Sequence, residues 1–394
     1  MKKLIALSFL SLMTSQTIAQ EFTFSGVAKG EVRYFPEEGK YGNTEKLQPS
    51  FVIEPQAMYS WDNDRQVTTV IPYLRVDEQD NERTHFDLRE MSYVGAFNNI
   101  ETRIGVSKVF WGVTESYHLV DVINQSDFVD NIDGEDKLGQ PMVNLSYLTD
   151  YGTFTGFALP YFRERTFSGS EGRFRGPLVV NTDKVQYMHV DGQNHTDYAL
   201  RWSHYFGDFE LGLSYFNGTN RDPFFKAISS TEIAPIYTQM EQYSIDSQYI
   251  YENWLLKTEM IVRDSQLEQR FFSTVTGFEY TFSNIKQTGL DVGVLAEWLY
   301  DERGTKTQTP FYDHTFIGTR IALNDVKSTE ILAGMFVNNH DMSLTSYRIE
   351  AERRINENWK WEVNANIIHE PAPVSGLYLY EKDSYIEASI SFYW

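Results

Sequence analysis

Cysteine is absent from the 394-residue chain, which rules out a disulfide framework, a thiolate metal centre and a cysteine nucleophile. Long apolar runs are scarce as well. Beyond the first 19 residues none is long enough to cross a bilayer as a helix, and the mean hydropathy of −0.42 excludes a bundle of membrane-spanning helices. Bases are few: 34 Lys and Arg stand against 55 Asp and Glu, for a formal charge of −21. Phosphate binding needs clustered bases, so nucleic acid is excluded as a partner. His, Asp and Glu are not clustered at ligand spacing, and Asp127 to Asp136 lacks the D-x-D-x-D-G order of a calcium loop, so neither metal nor cofactor is expected.

Aromatic residues, by contrast, make up 15% of the chain, with 25 Tyr and 27 Phe. Many aromatics without apolar runs suit a β-barrel, whose lipid face takes every second residue and whose rims carry aromatic girdles. Residues 1–19 combine Lys2 and Lys3, an apolar core from Leu4 to Met13 and a small-residue exit at Thr17-Ile18-Ala19. That is the layout of a cleaved secretory signal. Residues 20–394 are then expected to form one domain.

Short polar turns at 62–64, 98–99, 150–152, 207–208, 252–253, 283–287, 324–325 and 356–358 alternate with longer polar connections near 35–49, 77–83, 111–140, 162–193, 219–237, 264–269, 301–310, 338–341 and 370–383. Eight turns interleaved with nine loops predict about 18 strands, with 16 as the alternative, and place both termini at the short-turn end. Period-two alternation supports this. In residues 359–367, Trp359, Trp361, Val363, Ala365 and Ile367 share one face, opposite Lys360, Glu362, Asn364 and Asn366. Several strands carry charges at mid-face, among them Glu54, Arg103, Arg201, Glu210, Lys257, Glu259, Glu279, Arg348, Glu350 and Glu387. A dry core does not accept such charges unpaired, whereas a hydrated lumen does at little cost. The fold class expected is therefore all-β, a closed antiparallel transmembrane barrel in which strand 1 pairs with the last strand, because only closure satisfies the edges of a spanning sheet.

The last eleven residues, SYIEASISFYW, set Ile386, Ala388, Ile390, Phe392 and Trp394 against Glu387, Ser389 and Ser391. This alternation, ending on an aromatic, resembles the closing strand of Gram-negative outer-membrane β-barrels. The resemblance implies that Phe392 and Trp394 belong to an assembly signal read by the barrel-assembly machinery, and that the protein resides in the cell outer membrane among lipids and lipopolysaccharide. The stretches WGVTESYHLVDVINQSD, DGEDKLGQPMVNLSY, LAEWLYDERG and ALNDVKSTEILAG resemble a proteobacterial porin-like family with no assigned substrate. A barrel of 16 to 18 strands encloses more volume than side chains fill. A passive channel for small polar or charged solutes is thus expected, as monomer or homotrimer.

Within that frame residues 111–140 hold the specificity. They combine apolar residues such as Leu119, Val120, Val122 and Ile123 with Glu115, Asp121, Asp127, Asp130, Asp133, Glu135 and Asp136. General porins fold their third external loop into the barrel, and the position is similar here. The expectation is an inward loop whose apolar side packs on the wall and whose carboxylates line a constriction, concentrating counter-ions. An external, solvated acidic flap is the alternative. Across the lumen, Arg33, Arg75, Arg89, Arg103 and Arg348 would form the opposing wall, unless each merely pairs with a neighbouring acid. Arg163, Arg165, Arg173 and Arg175, interleaved with Phe162, Phe167 and Phe174, make one basic patch. It is suited either to anionic ligands or lipopolysaccharide phosphates or to neutralising nearby acids.

Two other classes stay open. A structural or adhesive barrel would have a filled lumen. An outer-membrane hydrolase resembling omptins needs paired acids next to an Asp/His pair, for which Asp62, Asp64, Asp313 and His314 are the nearest material. The turn pattern places those two pairs at opposite ends of the barrel, beyond hydrogen-bond reach.

Overall fold

The computed structural model describes residues 20–394 except 43, 308 and 370–374. The predicted leader, residues 1–19, and part of the last predicted loop lie outside the described residues. Eighteen antiparallel strands form the barrel: β1 (Glu21–Tyr34), β2 (Leu47–Trp61), β3 (Gln66–Asp77), β4 (His85–Phe97), β5 (Ile100–Ser107), β6 (Gln140–Thr149), β7 (Gly152–Leu159), β8 (Asp197–Phe206), β9 (Phe209–Thr219), β10 (Gln239–Tyr251), β11 (Trp254–Ser265), β12 (Glu268–Phe282), β13 (Asp291–Asp301), β14 (Asp313–Ala322), β15 (Glu330–Asn338), β16 (Leu344–Arg354), β17 (Trp359–Ile368) and β18 (Tyr385–Tyr393). Each pairs with its neighbours in sequence.

The barrel closes where β1 meets β18, in a register running from Val27↔Tyr393 to Tyr34↔Ile386. The Gly26 amide donates to the Trp394 carbonyl at 3.2 Å, and the Trp394 amide returns a bond of 3.3 Å. Closure leaves no edge strand in the barrel. All eight predicted short turns fall at one end. Their polar residues suit backbone conformations that most side chains avoid: Asp62, Asn63 and Asp64 take φ of 59°, 56° and 61° in succession, a left-handed run that Asp and Asn tolerate because their side chains bond locally.

Alternation sorts the side chains as predicted at the closing strands. Ile386 and Ile390 are exposed on the outside, while Glu387, Ser389 and Ser391 are buried inside. Phe22, Phe24, Leu145 and Leu200 extend the same apolar exterior around the wall.

Two features differ from the sequence-based expectation. The connections 160–196 and 220–238 are more than polar loops. They contribute Val179–Val180, Gln186–Tyr187, Phe224–Ala227 and Glu232–Tyr237 to a small sheet outside the barrel. Nor is the inward face uniformly polar. Met142, Phe157, Phe216, Ile261, Leu295, Phe316 and Phe336, drawn from strands β6 to β15, are buried in one apolar cluster with Trp111, Leu119, Val120, Val122 and Ile123 of the third long loop. Half of the lumen is therefore a packed core, and each fully buried Leu, Ile, Val or Phe in it contributes about 1.5–3 kcal/mol.

Candidate functional site

The third loop, 108–139, is seated by its apolar side on that core and by two wall carboxylates beneath it. Glu259 of β11 accepts from the Val113 and Thr114 amides at 2.8 and 3.1 Å, the Thr114 hydroxyl at 2.7 Å and the Val120 amide at 3.1 Å. Glu297 of β13 accepts from the Glu115 and Ser116 amides at 2.8 and 2.7 Å. Arg221 donates to the Val122 and Ile123 carbonyls at 3.1 and 3.0 Å. Buried carboxylates facing backbone N–H groups make charge-assisted bonds, roughly twice as strong as neutral ones.

The loop then crosses the barrel. Its tip forms a narrow hairpin, bridged at Ser126↔Lys137, that docks on β1, β3 and β4. Arg89 sits 2.7 Å from both Asp127 and Asp130, and Arg75 is 2.7 Å from Asp130. Arg33 donates to the Asp130 carbonyl at 2.9 Å and pairs with Glu387 at 2.6 Å. Arg83, from the loop after β3, joins Glu31, Asp77 and the Val129 carbonyl. Burial opposes ionisation of Asp127, but the His85 ring and the Arg89 guanidinium outweigh it and hold this carboxyl well below the usual range.

Between the loop and the strands β1, β2 and β14 to β18 lies a polar cavity of about 780 Å³. It is lined by twelve carboxylates against eight Lys and Arg side chains. Of the seven predicted constriction acids, Glu115, Asp130, Asp133, Glu135 and Asp136 line it. Asp121 and Asp127 are instead enclosed, Asp121 beside Lys137 at 3.2 Å with its carboxyl raised by burial. Enclosure in the barrel, with Asp133 and Asp130 adjacent, pushes the Asp136 carboxyl up to about 7. His118 stands 3.4 Å from Glu135 and 3.9 Å from Glu259. Burial disfavours its cation, yet these two carboxylates push the ring up to about 10.

Of the predicted opposing wall, Arg33, Arg75 and Arg89 line the cavity but do not face the loop across a gap, because they hold its tip. Arg348 does border the cavity, 3.9 Å from Asp133, whereas Arg103 bonds the Ser107 hydroxyl at 3.0 Å and is not part of the lining. Among the described residues, Glu54, Asp136 and Lys108 line the cavity without an ion-pair partner.

The four arginines of the fourth loop are dispersed. Arg163 pairs with Asp87 and Arg165 with Asp222, each at 2.7 Å. Arg173 is buried against Asp383 at 2.9 Å, and Arg175 bonds the Gly176 carbonyl at 3.2 Å. His85, Asp127 and Asp130 gather within 4.8 Å of one another, close enough to suggest a cation site. Arg75 and Arg89 already occupy the seats on both carboxylates. Asp62 and Asp64 lie in the turn after β2, while Asp313 and His314 open β14 at the long-loop end, so the two pairs cannot share one reaction.

No protein-family model and no curated protein sequence matches the chain. Among solved structures it is similar to a triple variant of the Rhodopseudomonas blastica porin, at 11% identity and a TM-score of 0.47 over 95% of this chain and 100% of that one. A second variant of that porin gives 12% identity and 0.46 over the same shares. A structure titled for the asymmetric conductivity of engineered proteins gives 11% and 0.46, again over 95% and 100%.

Proposed function

We propose that the protein is an outer-membrane, porin-like channel for passive diffusion of small polar or charged solutes, with a preference for cations. The observation that carries this reading is the excess of carboxylates lining the 780 Å³ cavity, in a barrel that is apolar outside. Low-dielectric walls with one sign of charge in excess raise the local concentration of counter-ions. The solute path runs along β1, β2 and β14 to β18, the half that the third loop leaves unfilled. The leader over 1–19 directs export, and the strand ending in Phe392 and Trp394 serves as the assembly signal.

The decisive experiment is single-channel recording of the refolded mature protein in a planar bilayer, with the reversal potential read under a salt gradient. Stable open steps with cation selectivity, reduced in the Glu54→Gln/Asp136→Asn double variant, are expected. A folded barrel that passes no current, and still passes none when Arg173 and Phe174 are both replaced by Ala, would refute the channel and favour the non-conducting structural reading, to which the filled half of the lumen lends support.

A further inference from the structure

Residues 160–178 contain no helix or strand, yet they run an ordered course over the tip of the third loop. Leaving β7, Arg163 reaches Asp87 on β4 at 2.7 Å. The Thr166 hydroxyl donates to Asp127 at 2.6 Å and accepts from the Val129 amide at 3.1 Å, so the segment lies directly on the docked hairpin. Further along, Gly169 donates its amide to the Asp80 carboxylate at 3.1 Å, and a Cβ at Gly169 or Gly172 would collide with that carboxylate. The far end is fastened between the first and last long loops. Arg173 pairs with Asp383 at 2.9 Å and donates to the Glu45, Glu37 and Lys382 carbonyls at 3.0, 3.0 and 2.8 Å.

Phe174 then enters an apolar cluster, its ring 5.8 Å from Phe35 and 5.5 Å from Tyr385, with Ile132 and Tyr380 packed around it. Tyr385 also borders the polar cavity, where its hydroxyl meets Asn131 at 3.3 Å. The plug and the cavity lining therefore share Tyr385, and Arg33 of the lining stands 5.8 Å from the Phe174 ring.

We propose that residues 160–178 form a gating strap across the long-loop mouth, latched by Arg173 on Asp383 and plugged by Phe174, whose release opens the cavity to the outside. The strap differs from the barrel wall in how it is held, by side-chain hydrogen bonds, ion pairs and the Phe174 contact, with no sheet ladder along it. A segment outside the sheet can open locally while the strands stay paired, at less cost than global unfolding. The latch is also the tie most sensitive to change, since removing one partner of a buried ion pair leaves the other charge uncompensated.

This inference rests on the channel reading, and the test separates the two. Single-channel conductance is compared between the wild-type chain and the Arg173→Ala/Phe174→Ala variant. In parallel, Asn366→Cys, on the cavity wall, is introduced into both, and its reaction with a cationic methanethiosulfonate added at the loop side is timed. The chain has no native cysteine, so the label reports that position alone. Larger or longer openings and labelling faster by roughly tenfold or more are expected of the unlatched variant. Equal labelling rates in two folded barrels would overturn the strap. An absence of current from both proteins would refute the channel, with the labelling rates still deciding the strap. Asp383→Asn, which keeps the shape of the latch and removes its charge, repeats the comparison if the double variant does not fold.

Discussion

Asp136 is the carboxylate whose titration a current measurement reads most directly. Its carboxyl is pushed up to about 7, so it is ionised at pH 8 and largely neutral at pH 6. His118 and Glu135 nearby keep their charge in that window. His118, held up to about 10 by Glu135 and Glu259 against its burial, stays cationic. Glu135, where the His118 cation outweighs burial, stays ionised. Cation selectivity is therefore expected to fall as pH drops through about 7, and Asp136→Asn should remove that step. A reversal potential that does not vary between pH 8 and 6, or a step that survives in the variant, would assign the selectivity elsewhere. At this scale the sequence was legible only in part. It marks seven acids in one loop, but nothing in Asp121, Asp127 or Asp130 foretells burial. Their partners include Arg75 and Arg89, more than 30 residues away in the chain, and only the closed barrel brings them together. Arg83, buried with Glu31 and Asp77, gave no signal at all, being one charged residue in a short polar loop.

Among the wall residues that hold the third loop, Glu259 makes the most hydrogen bonds to it. Replacing it by Ala removes the acceptor for three amides and a hydroxyl and leaves the His118 cation without one of its two carboxylates. Breaking a buried charge arrangement in this way costs about 3–5 kcal/mol. In the folded barrel, limited proteolysis within 111–140 should become fast, and current noise should rise. Protection equal to wild type would mean that the apolar seam alone seats the loop. That seam was half legible. The apolar residues of the loop are unusual for a solvated connection and pointed inward. The receiving wall was obscured because its strands are apolar on both faces. In β13, Leu295 and Leu299 point in while Val294 and Trp298 point out, so Glu297 alone marks the inward face between them as polar. The small sheet outside the barrel was invisible for another reason, since its strands of two to six residues are too short for period two to be read.

Across the whole molecule, the proposal inverts the usual rule for a globular protein, with apolar side chains outside and charge within, and this inversion can be tested by one substitution on each face. Leu200, in the middle of β8, is 62% exposed and stands in register with Gly156 on β7 and Tyr215 on β9. If that surface meets lipid, Leu200→Arg places a cation against hydrocarbon and costs about 2–4 kcal/mol at the bilayer midplane. If it meets water, the same change is nearly neutral and improves solubility. Glu54 lines the cavity without a partner among the described residues, so Glu54→Arg reverses one charge in a hydrated space and leaves folding intact. The fraction folded in phospholipid vesicles, read from the heat-dependent shift in electrophoretic mobility, is expected to fall for Leu200→Arg and to match wild type for Glu54→Arg. Under a salt gradient the reversal potential of Glu54→Arg should move toward anions. A Leu200→Arg chain that folds as well in vesicles as the parent would exclude lipid from that face, and with it the membrane location on which every functional inference here depends.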